Sequence, residues 1–151
     1  VNTVSCTYAI GRIEPDFFEK GRNGRFFRIP VYSNTKLALL LFTQEFAERL
    51  QDKDITIKAS DPGIVSTNMI TMQAWFDPLT DILFRPFIKT PAQGAATAIH
   101  LALSDEAKDK NGCCYANCKK RNVSERIRHH AQQKQLWDDT ETLLRQKGIR
   151  F

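Results

Sequence analysis

Val31-Tyr32-Ser33-Asn34-Thr35-Lys36-Leu37-Ala38-Leu39 sets a tyrosine and a lysine four residues apart at the opening of a helix. Positions i and i+4 of an α-helix share one face, one turn apart, so the phenol and the ammonium can serve one reacting centre. An ammonium beside a phenol favours the phenolate, which equips the pair for general acid/base work. The spacing alone fits an exposed tyrosine and a solvated lysine equally well, so the flanking chain has to decide. The stripe Leu37, Leu40, Leu41, Phe46 and Leu50 carries the helix to about Leu50, with Glu45, Glu48 and Arg49 in its polar positions.

On the carboxyl side, Asp54-Ile55-Thr56-Ile57-Lys58-Ala59 alternates as a strand does, and Asp61-Pro62-Gly63 stops it. On the amino side, Val1-Asn2-Thr3-Val4-Ser5 is short and β-branched and reads as the tail of a buried strand. Strand, helix and strand in this order make a parallel crossover unit. Residues 7 to 30 hold turn formers and mixed charge without periodicity, and read as a long loop with a short helical turn.

Residues 68 to 89 are dense in Met, Trp, Phe, Ile and Leu, and Pro78 and Pro86 divide them into two short helices. Thr90-Pro91-Ala92-Gln93 has capping-box spacing and opens a helix to about Ser104, in which His100 reads as a packed or surface residue. Asn111-Gly112 turns into a short apolar strand, Cys113 to Cys118. A basic run, Lys119-Lys120-Arg121, precedes a last helix over 131–147, with Leu136, Trp137, Leu143 and Leu144 on its buried side.

One domain is expected from 151 residues, and no apolar run approaches the roughly 20 residues that cross a bilayer. No secretory signal is present, but the chain opens at Val1 within a strand. The expectation is therefore a truncation, with earlier strands and any membrane anchor lying upstream. The four cysteines lack the paired spacing of a zinc site, and free thiols in a cytoplasmic protein are expected. The net charge of +5 suits an anionic ligand or an acidic membrane surface. The basic residues 119–130 lack interleaved stacking aromatics, which argues against nucleic acid and for a solvated basic surface or a contact with anionic lipid.

Three further features line up in chain order: Ser5 at the end of a strand, Tyr32-x-x-x-Lys36, and Pro62-Gly63-Ile64-Val65-Ser66-Thr67 after the next strand. Each strand end falls on the carboxyl edge of a parallel sheet, where open α/β folds place their ligands. With Leu41-Phe42-Thr43-Gln44-Glu45, Thr90-Pro91-x-Gln93-Gly94-Ala95 and Leu136-Trp137, the pattern resembles the short-chain dehydrogenase/reductases, and within them the retinol dehydrogenase-like branch.

The resemblance implies an α/β fold, the C-terminal part of a Rossmann-like doubly wound parallel sheet with flanking helices, its N-terminal strands missing. Residues 1–151 would then be the C-terminal catalytic half of a single domain. It implies hydride transfer between NADP(H) or NAD(H) and a small apolar carbonyl or alcohol substrate, retinoid-, steroid- or lipid-like, with NADP favoured. Tyr32 would be the proton donor or acceptor. Lys36 would support it and hold the nicotinamide ribose, and Ser5 would hydrogen-bond the reacting oxygen. Pro62 and Gly63 would form the floor under the nicotinamide, Val65 and Thr67 would contact its carboxamide, and residues 68–89 would cover the substrate. No metal is implied; a peripheral membrane contact and a homo-oligomer are compatible.

Two departures qualify the likeness. The family places a pair of small polar residues at the serine position, and this chain has Val4-Ser5-Cys6, where the register from Gly11-Arg12-Ile13 selects Ser5. The glycine-rich cofactor turn, the residues that choose between NAD and NADP, and the family's catalytic asparagine have no counterpart in this sequence. The rival reading is a truncated, catalytically inactive reductase-like interaction module.

Overall fold

The computed structural model describes residues 1–14, 17–18, 28–65 and 88–149. Its sheet has the order β1 (Asn2–Thr3), β2 (Ala59–Asp61), β3 (Cys114–Ala116), β4 (Lys119–Lys120). β1, β2 and β3 run parallel, with Asn2 beside Ala59 and Ala59 beside Cys114. The parallel expectation holds for these strands, and β4 adds an antiparallel edge. The strand read over Cys113–Cys118 is therefore a hairpin. Asn117 and Cys118 both have positive φ, 53° and 58°, which matches the twist of a tight two-residue turn.

Helix α1 spans Arg28–Arg49, so it starts four residues before the expected opening at Tyr32. Pro30 falls in its first turn, where a missing N–H breaks no helical bond. Leu37, Leu40 and Leu41 are fully buried and join Val4, Tyr8, Ala59, Cys114, Ile127 and Leu136 in the main core. Glu45, expected on the polar face, is buried instead, and its two oxygens accept from Arg49 Nε at 2.9 Å and Gln133 Nε2 at 3.2 Å. Asn2 Nδ2 donates to buried Thr43 Oγ1 at 2.9 Å, tying β1 to the middle of α1.

Helix α2 (Pro91–Leu103) begins with the full capping box, Thr90 Oγ1 accepting from Gln93 N and Gln93 Oε1 from Thr90 N. It packs on the other face of the sheet. Successive β3 residues point to opposite faces, and Cys114 belongs to the α1 core while Tyr115 packs with Leu101 and Ala107. Helices thus cover both faces, as a doubly wound sheet requires.

The strand expected over residues 54–59 lies further on, at Ala59–Asp61. Residues 57 and 58 still bond both neighbours, Gly112 N to Ile57 O at 2.8 Å and Asn2 N to Lys58 O at 2.8 Å. A 3-10 turn at Cys6–Ile10 is the short helical turn expected after β1. A short helix α3 (Glu125–Arg128) was not expected, and it buries Ile127. The last helix, α4 (Gln133–Gln146), buries Leu136 and stacks Trp137 on Phe42 with ring centroids 5.0 Å apart. Of the paired helices expected over residues 68–89, residues 68–87 lie outside the described residues.

Candidate active site

β1 and β2 are adjacent and parallel, so their carboxyl ends open on the same edge. Ser5 lies two residues past the end of β1. Its Oγ caps the Cys6–Ile10 turn by accepting from Thr7 N at 3.5 Å, a long contact that leaves the hydroxyl proton free to donate.

Tyr32 and Lys36 sit one turn apart in the amino-terminal part of α1. The tyrosine is 39% exposed. Lys36 Nζ lies 5.5 Å from the centre of its ring and donates to Thr3 O, the last carbonyl of β1, at 3.0 Å. That bond brings the α1 pair to the strand end that carries Ser5. An ammonium has three N–H donors, and Thr3 takes one of them. Arg12 N donates to Asn34 Oδ1 at 2.9 Å, so the segment after the Cys6–Ile10 turn is pinned to the same stretch of helix.

Pro62 and Gly63 follow β2 on this edge. Gly63 has φ +76°, a region that L side chains rarely enter, and a Cβ there would stand 3.0 Å from Lys89 Nζ. The turn is therefore bare backbone for two independent reasons. Val65 forms an isolated parallel bridge with Lys89, and Gly94 in the first turn of α2 lets its side chain approach, since a Cβ at Gly94 would be 2.6 Å from Val65 Cγ2. Ser5, Tyr32 and Lys36 thus gather around the end of β1, and Pro62, Gly63 and Val65 around the end of β2. Thr67 lies outside the described residues.

Several supporting residues were not expected. Asp61, 2% exposed, accepts from Gly63 N through Oδ1 at 3.0 Å and from Arg121 Nη1 through Oδ2 at 2.7 Å. Arg121 is therefore a structural ion-pair partner instead of part of a solvated basic run. Arg126 and Arg128 are likewise engaged, donating to Ala9 O at 2.9 Å and to Glu125 Oε1 at 2.6 Å. Beneath Arg121, burial pushes the Tyr8 hydroxyl up to about 12, and burial and the charge of Asp61 push the Cys114 thiol up to about 11. Both groups are thus held protonated. The signal for Asp61 was its place before Pro62-Gly63, since Asp caps turns through its side chain; nothing local marks Arg121 as its partner.

A cavity of about 570 Å³ lies between the end of α1 and the β3–β4 hairpin, lined by Gln44, Glu48, Asn111, Lys120 and Arg128 among others. It shares no residue with the Ser5, Tyr32 and Lys36 set. Among the described residues no group of His, Cys, Asp and Glu could hold a metal ion, and no helix is long and apolar enough to cross a membrane.

A family model described as short chain dehydrogenase matches residues 20–75. Retinol dehydrogenase 12 of Homo sapiens is 35% identical over 151 residues, 100% of this chain and 46% of that protein. Retinol dehydrogenase 14 of Homo sapiens is 35% identical over 116 residues, 75% of this chain and 34% of that protein. A WW domain-containing oxidoreductase of Drosophila melanogaster is 32% identical over 120 residues, 80% of this chain and 29% of that protein. The chain spans less than half the length of each of these relatives. Among solved structures, an uncharacterised protein of Mycobacterium paratuberculosis superposes with a TM-score of 0.68 at 22% identity, covering 95% of this chain and 48% of that one, which supports the fold. With a doubly wound sheet, Tyr-x-x-x-Lys at its carboxyl edge and these relatives, the chain belongs to the short-chain dehydrogenase/reductases, on their retinol dehydrogenase-like branch.

Proposed function

We propose that this chain carries the acid/base half of an oxidoreductase that moves a hydride between NADP(H) or NAD(H) and an apolar carbonyl or alcohol. The observation that carries the reading is the Lys36 bond to Thr3 O, because it ties the Tyr32–Lys36 pair to the strand end bearing Ser5. A nicotinamide nucleotide fits the groups present. Lys36 offers further donors for ribose hydroxyls, and the Pro62–Gly63 turn offers a flat ring a backbone with no side chain at Gly63. Pro62 and Gly63 would form the floor under the ring, and Val65 and Thr67 would contact its carboxamide. The bound nucleotide supplies or accepts the hydride.

The remaining chemistry belongs to this chain. In reduction the Tyr32 hydroxyl gives its proton to the carbonyl oxygen, and in oxidation the phenolate takes the proton from the alcohol. The Lys36 ammonium, 5.5 Å from the ring centre, stabilises negative charge on the phenol oxygen as it forms. The Ser5 hydroxyl donates to the same substrate oxygen and steadies its developing charge. The density of Met, Trp and Phe in residues 68–89 supports an apolar substrate, retinoid-, steroid- or lipid-like. The four cysteines are free thiols, which supports a reducing, cytoplasmic setting.

Tyr32→Phe in the protein that carries this chain keeps the ring and removes the proton. Turnover of an apolar aldehyde with NADPH is expected to fall at least about 100-fold, with cofactor affinity nearly intact. Turnover close to wild type would remove Tyr32 from the mechanism. The second reading is an inactive, reductase-like interaction module. Absence of saturable NADPH binding, followed by cofactor fluorescence, would leave that reading alone.

A further inference from the structure

The peptide between Pro62 and Gly63 is held at both of its polar atoms. Its carbonyl oxygen, Pro62 O, accepts from Lys89 Nζ at 2.8 Å. Its amide, Gly63 N–H, donates to Asp61 Oδ1 at 3.0 Å. Each holding group is itself anchored. Lys89 Nζ also donates to Asn117 Oδ1 in the β3–β4 turn at 2.6 Å, and Asp61 Oδ2 accepts from Arg121 Nη1 at 2.7 Å. Among the described residues no carboxylate pairs with Lys89, so two neutral oxygens fix its ammonium.

Such a double grip has a physical reason. A peptide that precedes a glycine can rotate as a plane, because glycine accepts either sign of φ at little steric cost. Gly63, at φ +76°, has no side chain to prevent that rotation. The neighbouring polar groups do it instead. If the plane turned over, Pro62 O would leave the ammonium and Gly63 N–H would leave a carboxylate that is 2% exposed.

We propose that Lys89 and Asp61 are positioning residues that lock the Pro62–Gly63 peptide in one orientation and so preform the backbone floor for the nicotinamide. This rests on the functional reading above. Neither side chain takes part in proton transfer; both act through the peptide. Without the lock, the cofactor binds only the fraction of molecules with the plane correctly set, and its apparent affinity falls by that fraction.

The test uses Lys89→Met and Lys89→Arg in the protein that carries this chain, with two readouts. One is amide hydrogen exchange at Gly63 without cofactor, and the other is NADPH affinity by fluorescence. For Lys89→Met, Gly63 exchange is expected to accelerate about 10-fold and the NADPH Kd to rise about 10-fold, with kcat within about twofold of wild type. Lys89→Arg restores most of both. Asn117→Gly removes the ammonium's second anchor at an exposed, positive-φ position. It covers the case in which Lys89→Met does not fold, with a shift of about threefold in the same direction. Exchange and affinity both near wild type, or a lower Tm with both unchanged, would overturn the proposal. Weaker affinity with unchanged exchange would also overturn it, since Lys89 would then act by charge alone. If Tyr32→Phe keeps its turnover the functional reading fails by itself, and Gly63 exchange still scores the lock.

Discussion

Replacing Arg121 by methionine removes one half of a buried ion pair and should cost more stability than any other change to the basic run. Arg121 Nη1 lies 2.7 Å from Asp61 Oδ2, and its guanidinium stands 5.6 Å from the centre of the Tyr8 ring. Asp61 is only 2% exposed, so the change strands a carboxylate whose remaining partner among the described residues is Gly63 N–H at 3.0 Å. Breaking a buried pair by deleting one partner costs about 3–5 kcal/mol. The arginine side chain is itself 38% exposed, so water can enter the space it leaves and the cost falls to the low end, about 3 kcal/mol. For a chain of this size that is a drop in Tm of about 6–12 °C. Thermal unfolding and urea titration followed by circular dichroism both read it, with the urea slope m unchanged. The double variant with Asp61→Asn should recover part of the loss, because the stranded charge is gone. A loss below about 1 kcal/mol, or additive single and double variants, would refute the pairing as a source of stability.

Three other expectations follow from the packing. Thr90→Ala removes the hydroxyl that caps Gln93 N, and should cost about 1 kcal/mol in urea unfolding; no measurable loss would contradict the cap. Leu40→Ala opens the main core at a fully buried position and should cost about 2–5 kcal/mol by the same measurement, a loss under about 1 kcal/mol speaking against that core. Burial raises the Tyr8 hydroxyl to about 12 and the Cys114 thiol to about 11, so above pH 9 the folded protein keeps protons that the unfolded chain releases. Stability should therefore fall as pH rises between about 9 and 12, and a urea midpoint that holds or rises there would count against it.

Legibility followed how local each signal is. The Thr90 capping box and the stripe through Leu37, Leu40 and Leu41 arise from neighbours three or four residues apart, and both were readable in advance. The β3–β4 hairpin was not, because its turn is Asn117-Cys118, and a cysteine at a positive-φ position does not announce itself as Asn-Gly does. Glu45 looks like a surface residue until Arg49 and Gln133, 88 residues away, neutralise and cover it. Arg121 was read as solvated for the same reason, since its partner Asp61 lies 60 residues earlier in the chain. The start of α1 was placed late because Pro30 reads as a breaker, although in the first turn of a helix it breaks nothing.

The proposed chemistry and its support occupy different environments, and that separates what each side chain can cost. Tyr32 is 39% exposed and stands outside the core, so removing its hydroxyl takes nothing from the packing; only a reaction can feel it. Asp61 and Arg121 are the reverse case. They set the Pro62–Gly63 turn and bridge β2 to the hairpin strands. A variant of the first kind should lose turnover at constant Tm, and one of the second should lose both together. Lys89 lies between them, because its stem crosses Gly63 near the surface while, among the described residues, its ammonium binds neutral oxygens. If the turn is a preformed floor, Lys89 is the position where cofactor affinity can fall with little loss of stability. Tyr32→Phe and Arg121→Met cannot produce that combination.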